Sequence, residues 1–83
     1  MKATVTVELK SAVLDPQGKA IQHSLNALGF AQVEDVRVGK LFRITLKDTH
    51  GSSRDQIEQQ LRQMCEKLLA NTVVENFSFT IEN

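Results

Sequence analysis

Apolar and polar residues alternate along the first segment of the chain, "KATVTVELK". One face of this segment carries Ala3, Val5, Val7 and Leu9, and the opposite face carries lysine, threonine and glutamate. A period of two residues combined with β-branched side chains predicts a half-buried β-strand.

The next segment, "LDPQGKAIQHSLNALGF", changes to helical spacing. Asp15 is suited to cap a helix, and Pro16 is suited to the first helical position, where a missing N–H costs nothing. The apolar residues that follow recur at intervals of four and three, which predicts an amphipathic helix over residues 16–28. Gly29 can end this helix in a left-handed conformation. Gly18 is less easily explained, because glycine in a helix costs about 1 kcal/mol relative to alanine; it either permits close approach of another chain or is simply tolerated.

Two interpretations fit the segment "QVEDVRVGKLFRITLKD". A hairpin that turns at Gly39-Lys40 would mix apolar and polar side chains on both faces. A single strand over residues 33–47, bent near Gly39, has one misfit, Lys40, on an otherwise apolar face formed by Val36, Val38, Phe42, Ile44 and Leu46. We favour the long strand, since glycine inside a strand often marks a bend. Its length exceeds what a small core requires, which indicates pairing with another partner.

The last part of the chain repeats the two patterns. After the turn "DTHGSS", Ser53 and Gln56 have the spacing of a capping box, and a second amphipathic helix is predicted over residues 54–70. The tail "VVENFSFTIEN" alternates again, with Phe77 and Phe79 on one face, and predicts a final strand.

The predicted order is strand, helix, long bent strand, helix, strand. This order predicts an α+β two-layer sandwich in which two helices cover one face of an antiparallel sheet. The other face mixes threonine and arginine with Leu41 and Val74. Such a face suits burial against a second sheet, so we expect the sheet to be used in oligomerisation.

Composition narrows the class of protein. The 83 residues are expected to form one domain over residues 1–83. Ten basic and ten acidic residues cancel, and there is no tryptophan or tyrosine, which disfavours nucleic acid as a partner. The single cysteine cannot form a disulfide within the chain, and no segment approaches the roughly 18 apolar residues that cross a bilayer. We therefore expect a soluble cytoplasmic protein.

The residue types that perform chemistry are scattered. His23, His50 and Cys65 do not form the close pairs in which zinc ligands usually occur. Cys65 falls on the apolar stripe of the second helix, so we expect it to fill the core. Gly39-Lys40 lacks the glycine-rich loop that precedes the lysine of a P-loop. The residues therefore predict no catalytic, cofactor-binding or metal-binding site in this chain.

Four stretches nevertheless resemble a known family: "VLDPQGKAI", "LGF", "VEDVRVGKLFRITL" and "KLLANTVVENF". In this order, and over nearly the whole chain, they resemble PurS, the small subunit of phosphoribosylformylglycinamidine synthase. One departure is Thr72, where the family commonly has proline; this should loosen the exit of the second helix without changing the fold.

The resemblance implies a role in purine biosynthesis without an active site in this chain. The family's enzyme uses ATP and glutamine to convert formylglycinamide ribonucleotide (FGAR) to formylglycinamidine ribonucleotide (FGAM). A glutaminase subunit, PurQ, releases ammonia, and a large amidoligase subunit, PurL, uses ATP and magnesium. The small subunit is needed to assemble the other two, and it associates with itself as dimers or higher oligomers such as tetramers.

Four polar residues in the family motifs are candidates for the assembly surfaces: Asp15, Gln17, Arg37 and Lys40. Two other functions remain open from the residues alone. One is a regulatory α+β module that binds a ligand at a dimer interface. The other is a small stand-alone acyl-phosphate hydrolase, which would need an arginine and a positioned asparagine that the "DPQG" turn lacks.

Overall fold

The computed structural model of the chain describes residues 1–47 and 51–82. The elements are β1 (Lys2–Leu9), α1 (Pro16–Ala27), β2 (Gly39–Thr45), α2 (Arg54–Met64), a π-helical turn (Cys65–Leu69) and β3 (Glu75–Glu82). The sheet has the order β2-β1-β3, and both pairings are antiparallel. The predicted α+β class, with an antiparallel sheet and two helices, is confirmed.

β1 is the central strand, and its alternation decides which face of the sheet is buried. Ala3, Val5 and Val7 are at most 2% exposed. Val5 pairs with Phe42 on one side and with Phe79 on the other, so both neighbouring strands direct aromatic rings to the same face. The period-two pattern in the sequence therefore corresponds to the core of the structure.

α2 covers this face. Its start is the predicted capping box: the Ser53 hydroxyl accepts from the Gln56 N–H, and the Gln56 side chain accepts from the Ser53 N–H. Ile57 and Leu61 are buried against Ala3, and Cys65 is buried against Val5 and Val7 in an adjoining cluster. The helical spacing of the apolar residues therefore places one stripe of α2 on the sheet.

The second helix ends differently from the prediction. Regular α-helix stops at Met64, and residues Cys65–Leu69 form a π-helical turn in which the Ala70 N–H donates to the Cys65 carbonyl (2.9 Å). In an α-helix, residues five apart point about 140° away from each other. The wider turn instead brings Ala70 into the same buried cluster as Cys65.

α1 forms where the sequence predicts it. The Asp15 carboxylate caps its start, and Pro16 occupies the first position. At its end, Gly29 has a φ of 106°, and the Phe30 N–H donates to the Leu25 carbonyl (3.0 Å). This is a Schellman-type ending, in which glycine adopts the left-handed conformation without strain.

The position of α1 differs from the prediction that both helices cover the sheet. Leu28 is 74% exposed and Ile21 is 38% exposed, and Gly18 is the helix's only buried residue. The described chain extends 54 × 25 × 15 Å, with a radius of gyration of 16.7 Å where about 12 Å is expected for this length. α2 and its exit turn already cover the central part of the sheet face, so α1 extends away from it as a projection.

The predicted long strand is also shorter than expected. The chain passes through Gly39 without turning, which excludes the hairpin, but β2 covers only Gly39–Thr45. The ladder with β1 begins at the pair Glu8–Gly39. Before that point the backbone contacts the start of α1 instead, where the Val38 N–H donates to the Asp15 carboxylate.

The opposite face of the sheet is not covered by any of the residues in 1–47 and 51–82. It carries Thr4, Thr6, Arg43 and Thr80, and Leu41 at its centre is 58% exposed. Across the same two ranges, we find no helix with both the length and the apolar character to span a membrane.

Gly18 lies under the segment that precedes β2. A Cβ at this position would overlap the carbonyl oxygen of Val36 and lie 2.9 Å from its carbonyl carbon. The glycine is therefore explained by a close approach of backbone, but the approaching backbone belongs to the same chain and not to another one.

We expect Gly18→Ala to destabilise the protein by about 1–3 kcal/mol, because the methyl group must displace backbone rather than a flexible side chain. Helix propensity alone predicts the opposite sign, a gain of about 1 kcal/mol. Denaturant unfolding of both proteins measures the difference, with the exposed Lys19→Ala as a control that should change little. A stabilised Gly18→Ala variant would exclude the crossing of residues 18 and 36.

Candidate functional site

The four candidate residues lie near one another where the ends of β1, α1, β2 and β3 meet. Asp15, Gln17 and Lys40 line one surface cavity of about 210 Å³. Arg37 directly precedes Val38, which also lines it. The rest of the lining consists of Val7, Leu9, Gly39 and Glu75. We call this region the junction.

Asp15 is the buried charged residue of the junction, with 5% of its surface exposed. One carboxylate oxygen accepts from the Gly18 N–H (2.9 Å) and the other from the Val38 N–H (2.8 Å). The hydrogen bond from Val38, and after it that from Gly18, lowers the pKa of the Asp15 carboxyl below its ordinary value of 3.8, although burial opposes this. Both oxygens are thus used inside the chain.

Arg37 binds backbone carbonyls. One terminal nitrogen of its guanidinium donates to the carbonyl oxygens of Lys10 (3.0 Å) and Val13 (2.8 Å). These carbonyls belong to the loop between β1 and α1, and Lys10 also accepts from the Val13 N–H within that loop. Arg37 therefore fastens the loop that leads into α1 to the segment that leads into β2.

Lys40 is the one polar residue on the otherwise apolar face predicted for the long strand. It pairs with Val7, near the end of β1 and on the core-facing side of the sheet. Its ammonium is 3.8 Å from a carboxylate oxygen of Glu75, and the lysine side chain is 62% exposed. The second oxygen of Glu75 accepts from the Asn71 N–H. An exposed pair of this kind contributes little to stability, so Lys40 keeps a charge accessible at the surface.

Sequence reasoning missed Glu75 as a member of the junction. The sequence pattern could have indicated it. Glu75, Phe77 and Phe79 are spaced two residues apart, so Glu75 lies on the same core-facing side of β3 as the two phenylalanines. A carboxylate on that face needs a cation or a backbone N–H, and Lys40 was the one cation predicted there.

Gln17 differs from the other three candidates. It is exposed in the first turn of α1, and within residues 1–47 and 51–82 its side chain makes no hydrogen bond. Gln17 and Lys40 therefore present polar groups outward, whereas Asp15 and Arg37 bind their own backbone.

The other candidates for chemistry lie elsewhere. His23 is exposed on α1, and His50 lies outside the described residues. Cys65 is fully buried, as predicted, and burial raises the pKa of its thiol. In the part of the chain that the structure describes, no three side chains of the metal-ligand types come together.

Comparison with known proteins decides the family. The family model described as "PurS: Phosphoribosylformylglycinamidine (FGAM) synthase" matches residues 2–83. The chain belongs to the PurS family. The resemblance is confirmed, and with it the function as the PurS subunit of phosphoribosylformylglycinamidine synthase, a glutamine-dependent ligase of purine biosynthesis.

Relatives and solved structures agree along nearly the full length. The PurS subunit of Bacillus subtilis is 46% identical over 81 residues, which is 98% of this chain and 92% of the relative. A crystal structure of Bacillus subtilis PurS matches with a TM-score of 0.86 and 43% identity, covering 99% of this chain and 98% of that chain. A chain in the structure of PurLQS from Thermotoga maritima matches with a TM-score of 0.81 and 26% identity, covering 95% and 93%.

The Asp15 hydrogen bonds make a pH-dependent contribution to stability. Because the pKa of Asp15 is lower in the folded state than in the unfolded state, this contribution is complete above the ordinary value of 3.8 and is lost as the pH falls through the folded-state pKa. We expect wild-type protein to be more stable than Asp15→Asn from about pH 7 to about pH 5. Below about pH 4 the difference should shrink.

Denaturation midpoints of both proteins across this pH range measure the effect. Asp55→Asn, in the exposed first turn of α2, is the matched control and should lose less stability. A difference between wild type and Asp15→Asn that grows as the pH falls would contradict the assignment.

Proposed function

We propose that this chain is the non-catalytic small subunit that assembles the large amidoligase subunit and the glutaminase subunit of the synthase. The complex then converts FGAR to FGAM with ATP and glutamine. The observation that carries the proposal is the match to the PurLQS structure, over 95% of this chain at a TM-score of 0.81. In this proposal PurL and PurQ are the partners, the complex works in the cytoplasm, and neither nucleic acid nor membrane takes part.

Catalysis is assigned to the larger subunits. A general acid or base needs a carboxylate or imidazole that can reach a substrate proton. At the junction, Asp15 uses both oxygens for backbone N–H groups, and Glu75 is bound to Asn71 and Lys40. These engaged carboxylates support a chain that contributes surface rather than chemistry. ATP and magnesium are accordingly used by the large subunit.

We also infer that this subunit associates with a second copy of itself. An isolated helix of 12 residues is marginal in water, and α1 gains little burial from its own chain. Its apolar residues Ile21 and Leu28 remain exposed, together with Phe30 just beyond its end. The elongated shape and a net charge of zero both favour association between identical chains.

Within the junction, Gln17 and Lys40 are proposed to contact the partners, and Asp15 and Arg37 to hold the surface in shape. The argument is the contacts that each side chain makes: the exposed Gln17 and Lys40 bind no backbone group of the described chain, whereas Asp15 and Arg37 bind the chain's own backbone. The proposal keeps all four residues at the assembly surface but gives them two different roles.

Glutamine-dependent amidation of FGAR by the two larger subunits, with and without this chain, tests the assembly role. We expect activity to appear only when the chain is added, because the chain is proposed to bring the ammonia source to the amidoligase. Equal activity without it would overturn the proposed function. Binding of a nucleotide or amino acid by the isolated chain would then favour the regulatory alternative.

The same assay, run as a titration with the chain, tests the contact residues. The combined variant Gln17→Ala, Lys40→Glu should raise the concentration needed for half-maximal activity, since both side chains are exposed at the junction. Lys67→Glu, exposed in the π-helical turn, is the matched charge reversal and should leave the titration curve unchanged. An unchanged titration curve for the combined variant removes these two residues from the surface.

Sedimentation velocity tests self-association. Wild-type protein should sediment as a species larger than the 9.3 kDa chain. The double variant Ile21→Ser, Leu28→Ser should weaken association by at least about tenfold. Full burial of each apolar side chain in the complex contributes about 1.5–3 kcal/mol, and serine lacks this contribution. Gln22→Ser, on the same helix, serves as control. A wild-type monomer at all concentrations, or an unaffected double variant, would contradict the inference.

A further inference from the structure

Residues 11–38 form a projection that begins and ends at the same edge of the sheet. The chain leaves the sheet after Leu9 and returns at Gly39, and Glu8 and Gly39 are paired neighbours. We call these residues the arm; α1 is its central element. α2 and β3 make their extensive contacts with β1 and with each other, and α1 does not share in them. The direction of the arm must therefore be determined at its base.

At the base, one side chain joins the outgoing and the returning segments. Asp15 accepts from Gly18 with one oxygen and from Val38 with the other, at 2.9 Å and 2.8 Å. The first bond fixes the start of α1, and the second fixes the residue directly before β2. Because both bonds end on one rigid carboxylate group, the helix axis and the edge of the sheet are held in a defined relation.

Two further contacts reinforce this connection. The absence of a side chain at Gly18 allows the backbone of Val36 to cross closely over the first turn of α1. Arg37, which lies between Val36 and Val38 in the chain, donates to the carbonyl oxygens of Lys10 and Val13 in the loop between β1 and α1. All three successive residues before Gly39 therefore bind or pack against the outgoing segment, which is the loop after β1 and the first turn of α1.

Helix capping alone does not account for aspartate at this position. Serine and asparagine cap a helix about as well as aspartate. Only a carboxylate offers two acceptor oxygens that can receive two backbone N–H groups at once, whereas asparagine would turn an NH₂ group towards one of them. The second oxygen is what the structure uses for Val38.

We propose that Asp15 is a positioning residue that sets the angle at which α1 leaves the sheet, and thereby presents the exposed apolar side of α1 to a second copy of the chain. The first clause concerns this chain alone. The second rests on the proposed function. Asp15 touches no substrate in this proposal and acts through the orientation of the arm.

The angle can be measured as the distance between two spin labels, one at Ala27→Cys near the end of α1 and one at Gln60→Cys on the outer side of α2. Both positions are exposed, and Cys65 is fully buried, so labelling is directed to the introduced thiols and is checked by mass. Labelled protein is diluted with unlabelled protein, so that distances within one chain are observed.

Asp15→Asn, which keeps the cap on Gly18 and loses the acceptor for Val38, should shift or broaden the distance distribution beyond its width in wild-type protein. Ser53→Ala removes the cap of α2 and lowers stability without touching the arm, so its distribution should match that of wild type. Asp15→Ser, which is too short to reach Val38, provides a second variant if the asparagine variant fails to fold. An unchanged distribution in the folded Asp15 variant overturns the proposal.

Sedimentation velocity tests the second clause. Asp15→Asn should raise the dissociation constant of self-association roughly tenfold, whereas Ser53→Ala should leave it unchanged. A shifted arm with unchanged self-association overturns the link to the second copy. If the larger subunits prove active without this chain, the proposed function fails, and the distance measurement still decides the role of Asp15.

Discussion

The structure depends on the burial of one side of β1. Ala3, Val5 and Val7 are almost fully inaccessible to solvent, and both neighbouring strands and α2 are arranged around them. Shifting β1 by one residue would turn its threonines into the core and its apolar residues outward, so the register is strongly determined. The pairs of Val5 with Phe42 and Phe79 follow from this register, as does the position of Lys40 opposite Val7.

A second consequence is that the chain has one core and one projection. The core face of the sheet is covered by α2 and the π-helical turn, so α1 lies outside the region that holds the other elements together. Polar contacts at the junction replace apolar packing there: Asp15 binds two backbone N–H groups and Arg37 binds two carbonyls. Hydrogen bonds are directional, whereas apolar contacts are not, so these contacts determine how α1 is oriented relative to the sheet.

Local signals in the sequence were sufficient to identify the helices and strands, the starts of both helices and the end of α1. The caps at Asp15 and Ser53, and the glycine after α1, were predicted because each depends on residues within a few positions of each other. The position of α1 was not predicted, since periodicity identifies an apolar side but not the surface that covers it. The length of β2 was also wrong, because the partner of the Val38 N–H is a carboxylate 23 positions earlier in the chain. The candidate residues were found to be close together, whereas Glu75 could have been added from its phase in β3.

The strand order has a consequence for biosynthesis of the protein. β1 leaves the ribosome before the other two strands, and one of its two neighbours, β3, is the last of the three strands to emerge. Until β3 emerges, β1 has a free edge on one side, and the aromatic rings of β3 are missing from the core. Pairing of such distant segments makes folding slow compared with helical proteins and leaves an unpaired edge exposed meanwhile. The sheet is therefore completed only after β3 has been synthesised, and until then β2 and α2 are the elements that can cover β1.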